Sequence, residues 1–199
     1  MDHRQTKLST AMVVAGFIIW MLISPSYRPV LTVAAIVLHE IGHIVGATLA
    51  KVSLGGFRLI PCEARLSLEN GLISYPKEAF IGAAGPLFNL LCVGVCHWFG
   101  AKLFDTGAVS FFSTVSAALA FLNLLPVSDF DGGRLLRCLL IPLVGLRASD
   151  RICEACSLLT LFCLWCLSVY IVFRVGTNLS LFLFSISLFI KILSQGTAR

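Results

Sequence analysis

A chain of 199 residues that is 58% hydrophobic and 13% charged, with a mean hydropathy of +0.94, lies far below the roughly 25% charged residues of a soluble domain. That composition excludes a soluble globular enzyme and leaves a single integral membrane domain over residues 1–199, with no room for a separate soluble one. The formal charge of +5 calls for no nucleic acid, because a basic rim on one face of the lipid bilayer accounts for it.

The predicted fold is all-α and polytopic, with about six transmembrane helices at 8–24, 29–50, 78–101, 107–127, 152–173 and 178–194, each near the roughly 20 residues a bilayer requires. The first is barely long enough to span. A signal peptide is its rival, although no small-x-small cleavage site closes it.

The second span contains "VLHEIGHIV" (Val37 to Val45), three ionisable groups where each is expensive to bury. His39 and His43 are four apart and so only about 40° apart around a helix. This H-E-x-x-H spacing lets two imidazoles bind one Zn²⁺ while Glu40 reaches a water as general base. The bland alternative is polar helix packing. Gly42 and Gly46 add a small-residue seam to the same helix.

Between the second and third spans, Asn70 and Gly71 are flanked by "RLSLE" and "LISY", which predicts a small β-hairpin on an N-G turn. Its free edge could pair with an extended peptide; otherwise it is an ordinary loop. The third span carries Gly82, Gly85, Pro86 and Asn89, read as allowing close helix approach beside the metal.

A catalytic zinc needs a third protein ligand and one open position. His3 is terminal and His97 sits near the far end of the third span, so a carboxylate is the better candidate. In "NLLPVSDFDGGRLLR", Asp131 follows the fourth span, Pro126 should interrupt the helix, and Gly132 and Gly133 permit a sharp turn. The next stretch, "LLRCLLIPLVGLRASDR", is framed by Arg134, Arg137, Arg147 and Arg151. It reads as a helix lying at the membrane interface, anchoring topology or docking a partner.

Cys153, Cys156, Cys163 and Cys166 form two C-x-x-C pairs in the fifth span. On one helix the pairs are about 15 Å apart, too far to share a tetrahedral zinc, so they read as small hydrophobes. With an N-terminus in the cytoplasm, 12 of the 15 Lys and Arg residues fall on the cytoplasmic side. The vote is for both termini there.

Taken in order, "HEIGH", "GPLFN" (Gly85 to Asn89) and "NLLPVSDFDGGR" resemble the site-2 protease family of intramembrane zinc metalloproteases. The resemblance covers a catalytic core of about residues 30–140, with C-terminal helices over 141–199. It implies that His39, His43 and Asp131 bind one zinc per chain and that Glu40 activates water. It also implies that Asn123 positions substrate or stabilises the oxyanion. Two departures stand out. The approach to the paired glycines reads Val127, Ser128, Asp129, Phe130, adding a second carboxylate, although Asp131 directly precedes the glycines as the family's ligand does. The chain also has neither PDZ domain nor CBS pair, and most resembles the compact branch whose sporulation members process a membrane-tethered sigma factor precursor.

The expected function is therefore hydrolysis of a membrane-tethered protein within or near its transmembrane segment. The active site would open to the cytoplasm, in a bacterial plasma membrane by the compact-branch resemblance, with room for a regulatory membrane partner. A cation or metal transporter and a zinc-binding pseudoprotease are the alternatives. The first should show inverted repeats, which are not found, and the second would more readily have lost Glu40.

Overall fold

The computed structural model describes residues 26–52, 74–100 and 105–175, and every regular element among them is helical. Among the described residues, four helices are long and apolar enough to cross a membrane, at Arg28–Leu49, Tyr75–Gly100, Thr106–Asn123 and Leu146–Ile171. They correspond to the second to fifth expected spans. The first and sixth expected spans, and the hairpin around Asn70 and Gly71, lie outside the described residues. The protein is an all-helical membrane protein in the part described.

The chain divides into two compact units, Met1–Leu124 and Leu125–Arg199. In the first, α1 (Arg28–Leu49) packs on α2 (Tyr75–Val95), and α3 (Thr106–Asn123) packs on both. Pro29 opens α1 and Pro76 opens α2, where a missing N–H costs nothing. The first helix ends in a Schellman motif. Val52 N–H donates to Ala47 O and Lys51 N–H to Thr48 O, each at 3.0 Å, with Lys51 in the left-handed region at φ 54°. A wider, π-type turn over Cys96–Gly100 finishes α2. Asp105 caps α3 by accepting the Ala108 N–H at 2.9 Å.

What these helices bury is small or polar, and what they expose is large and apolar. The inner stripe of α2 is Ile81, Gly82, Gly85, Pro86 and Asn89, while Phe80, Leu87, Leu90 and Leu91 face outward. This inversion of the soluble pattern follows from lipid as solvent, since exposed leucines cost nothing there and association rests on close packing. A Cβ on Gly42 would come within 2.7 Å of the Ala84 carbonyl oxygen, and one on Gly46 within 2.6 Å of the Ala84 Cβ. The expected seam is thus the line along which α1 meets α2. Thr32, Thr48 and Thr114 return their hydroxyls to carbonyls four residues back, so these three donors are met within their own helices.

The second unit contains α4 (Asp131–Val144) and α5 (Leu146–Val175), which pack on each other. Here one expectation is corrected. The arginine-framed stretch does not form a single helix along the interface, because Gly145 takes φ 79° and ends α4, a conformation open to glycine and costly to other residues. Arg134 and Arg137 therefore belong to α4, while Arg147 and Arg151 lie in the first turns of α5. That helix runs 30 residues, about 45 Å at 1.5 Å per residue, beyond the roughly 30 Å of a hydrocarbon core. An exposed pair, Arg137 Nε to Asp150 Oδ1 at 2.8 Å, links the two helices at their polar end. Cys153, Cys156, Cys163 and Cys166 lie along α5 as free thiols.

Candidate metal centre

His39 and His43 stand one turn apart on the face of α1 that meets α2. Their rings meet edge-on, with centroids 4.8 Å apart and planes at 84°, and their Nε2 atoms are 3.2 Å from one another. Two nitrogens bound to one tetrahedral zinc at 2.0–2.1 Å would lie about 3.3 Å apart. The pair therefore fits as two ligands of a single ion. Without an ion, the same spacing is that of a single imidazole N–H···N hydrogen bond between the two rings.

Each ring is held from behind by α2. His43 Nδ1 lies 2.8 Å from the carbonyl oxygen of Ile81, which can only accept, so Nδ1 carries the proton and donates it. In the neutral ring this leaves Nε2 with its lone pair free for a cation. His39, 6% exposed, has its Nδ1 3.4 Å from the amide nitrogen of Asn89. Asn89 is fully buried, and its Oδ1 has no hydrogen-bond partner. Reading Asn89 from the sequence as a packing residue misses this contact; the one available signal is an amide in the middle of an apolar span.

Gly85 makes the room. A Cβ there would fall onto the His43 imidazole, closest to Nε2. The "GPLFN" stretch thus serves the histidines twice within five residues, by absence of a side chain at Gly85 and by an amide at Asn89. Glu40, next to His39, is half-buried.

The other predicted residues occupy defined places on their own elements. Asn123 is the last residue of α3 and half-buried. Asp131 is the first residue of α4 and half-buried, and Asp129 lies in the turn before it. That turn is tightly built. Ser157 of α5, 1% exposed, accepts the Ser128 N–H at 2.9 Å, pairs with the Ser128 hydroxyl at 2.9 Å and bonds the Cys153 carbonyl at 2.7 Å. Phe130 N–H donates to Val127 O at 2.8 Å. Gly133 is pressed so closely on Val127 and Ser128 that any Cβ would collide with their backbone. Only glycine fits there, which explains part of the paired-glycine signal.

Ser157→Ala would leave the buried end of this turn without its partner, at a cost of about 1–3 kcal/mol. The expected result is a fall of several degrees in the Tm of detergent-purified protein. An unchanged Tm would mean the turn holds itself.

The chain matches known proteins in three ways. The sequence pattern of peptidase family M50 matches residues 104–167. A zinc metalloprotease of Methanocaldococcus jannaschii is 29% identical over 128 residues, 62% of this chain and 37% of that protein. The chain thus spans little more than a third of that curated relative. The solved site-2 protease from Methanocaldococcus jannaschii superposes with a TM-score of 0.62 at 22% identity, over 94% of this chain and 87% of the other. That likeness shows a shared fold.

Proposed function

We propose that the chain, which is similar to peptidase family M50 and to site-2 proteases, is a zinc metalloendopeptidase of that type. Its substrate is a membrane-tethered protein, cut within or near a transmembrane segment. The observation that carries the reading is the convergence of the His39 and His43 Nε2 atoms, 3.2 Å apart, on a helix apolar enough to cross a membrane. Asp131, the carboxylate directly before the paired glycines, is the residue proposed as third ligand beside the two imidazoles, with Asp129 outside the set. The whole of 1–199 acts as one membrane protease domain.

When bound, the zinc supplies Lewis acidity, bringing the pKa of a coordinated water to about 7 and drawing charge from the scissile carbonyl. The rest falls to side chains. Glu40 accepts the water's proton and delivers it to the departing amine. Asn123 donates a hydrogen bond where negative charge develops on the carbonyl oxygen. Because a helical substrate has its carbonyls occupied by internal hydrogen bonds, it unwinds locally before attack, and water reaches Glu40 through a polar opening. The Lys and Arg count supports an opening and both termini on the cytoplasmic side, and the compact-branch resemblance supports a bacterial plasma membrane. A regulatory membrane partner fits the same picture.

The test is zinc content and cleavage in the purified protein. Wild type should hold about one zinc per chain and cut at least one substrate in a panel of membrane-tethered candidates. Asp131→Asn should lose zinc, and Asp129→Asn should keep it. Zinc-free wild type would sink the metalloprotease reading. Zinc lost in Asp129→Asn and kept in Asp131→Asn would reassign the third ligand.

A further inference from the structure

For His39 and His43 to hold one ion, both Nε2 atoms must present lone pairs, and each neutral ring must then carry its proton on Nδ1. His43 meets this requirement through the Ile81 carbonyl, 2.8 Å from its Nδ1. His39 meets it only if something accepts from its Nδ1. The group there is the Asn89 amide, 3.4 Å away with its nitrogen foremost. An amino group facing a protonated Nδ1 sets donor against donor. The same amide has an oxygen that is fully enclosed and has no hydrogen-bond partner, a cost of about 1–3 kcal/mol for a buried polar atom. A half-turn about the last side-chain bond exchanges oxygen and nitrogen. The oxygen then faces the ring and gains its donor, while the amino group takes the oxygen's former place.

The geometry points to Asn89 as the positioning residue for His39. In the zinc-loaded protein its carbonyl oxygen accepts the His39 Nδ1–H, fixing the tautomer and the ring plane so that Nε2 faces the ion. The inference rests on the zinc reading above and extends it from the residues that touch the ion to one that acts through a ligand. It also accounts for the amide's position. Asn89 is 0% exposed on a helix whose outward neighbours are Leu87, Leu90 and Leu91, so a polar group there is retained at a cost and should have a polar task. The two histidines would be held alike from α2, His43 by a backbone carbonyl and His39 by a side-chain carbonyl. Such outer partners raise ligand basicity, and their loss lowers metal affinity by about ten- to a hundredfold.

Two substitutions separate positioning from packing. Asn89→Leu keeps the branched shape and the number of heavy atoms, with bulkier methyl ends, and removes the acceptor. Asn89→Asp keeps an acceptor whichever oxygen faces the ring. Zinc affinity would be measured by chelator competition on detergent-purified full-length protein, with the visible absorption of the cobalt-substituted form reporting coordination and circular dichroism reporting helix content. The expected result is a ten- to hundredfold loss in Asn89→Leu, with an altered cobalt spectrum, and affinity and spectrum retained in Asn89→Asp. Equal affinity in Asn89→Leu and wild type would overturn the inference, as would equal losses in both variants. Should Asn89→Leu not fold, Asn89→Ala makes the same comparison with Asn89→Asp. The two readings fail separately. Wild type that binds no zinc overturns the zinc reading and the inference with it, whereas zinc-binding wild type alongside an unaffected Asn89→Leu overturns the inference alone.

Discussion

Glu40→Gln is expected to abolish proteolysis while leaving zinc in place. The substitution changes one oxygen to an amide nitrogen, so it removes the proton acceptor with almost no change in volume. A positioned general base contributes about 10²–10⁴-fold to a hydrolytic rate, and Glu40 serves twice in the proposed reaction, first taking a proton from water and then giving it to the leaving amine. Its place one residue after His39, half-buried on α1, keeps it on the histidine-bearing turn without making it a ligand. The measurement is the initial rate of cleavage of a membrane-tethered substrate in detergent or liposomes, paired with zinc content per chain. A rate within tenfold of wild type would remove Glu40 from the chemistry. Zinc lost together with activity would instead make it a ligand or a structural support.

Much of the histidine half of this site is legible in the sequence, and for a physical reason. A spacing of four on a helix places two side chains on one face whatever surrounds them, so His39 and His43 meet by local geometry alone. The small-residue seam is legible in the same way, since Gly42 and Gly46 repeat at that spacing and a glycine within an apolar span has few uses besides close approach. The contacts of Asn89 and Gly85 are different. Asn89 lies 50 residues along the chain from His39 and Gly85 lies 42 from His43, and their register against α1 is a product of packing that no period reveals. Ser157, which fastens the turn before Asp131 by hydrogen bonds to residue 128, reads in the sequence as one more hydroxyl in an apolar run. The expectation of one interfacial helix over residues 135–151 fails for another reason. Gly145, following the apolar run "LLIPLV", is a helix-stop signal in its own right, and the flanking arginines draw attention away from it.

Gly85→Ala should weaken zinc binding by roughly a hundredfold without unfolding the protein. Most glycines in a membrane helix accept alanine with little penalty when nothing lies opposite, and Gly94, which has nothing within 4 Å of where its Cβ would sit, is the internal control. At Gly85 the added methyl lands on the His43 ring, closest to the nitrogen assigned to the ion. The ring cannot simply retreat, because its other nitrogen is held by the Ile81 carbonyl one turn away on the same helix. Either the ring swings, breaking that bond and spoiling the convergence with His39, or α2 backs off along a seam where Gly42 already lies against Gly85 Cα. Overpacking of this kind costs about 1–3 kcal/mol, and the upper end of that range corresponds to the hundredfold loss. Chelator competition on Gly85→Ala, Gly94→Ala and wild type decides the matter. Gly94→Ala should match wild type. An unaltered affinity in Gly85→Ala would mean that His43 has room to spare, and the account of why a glycine faces the histidines would fail.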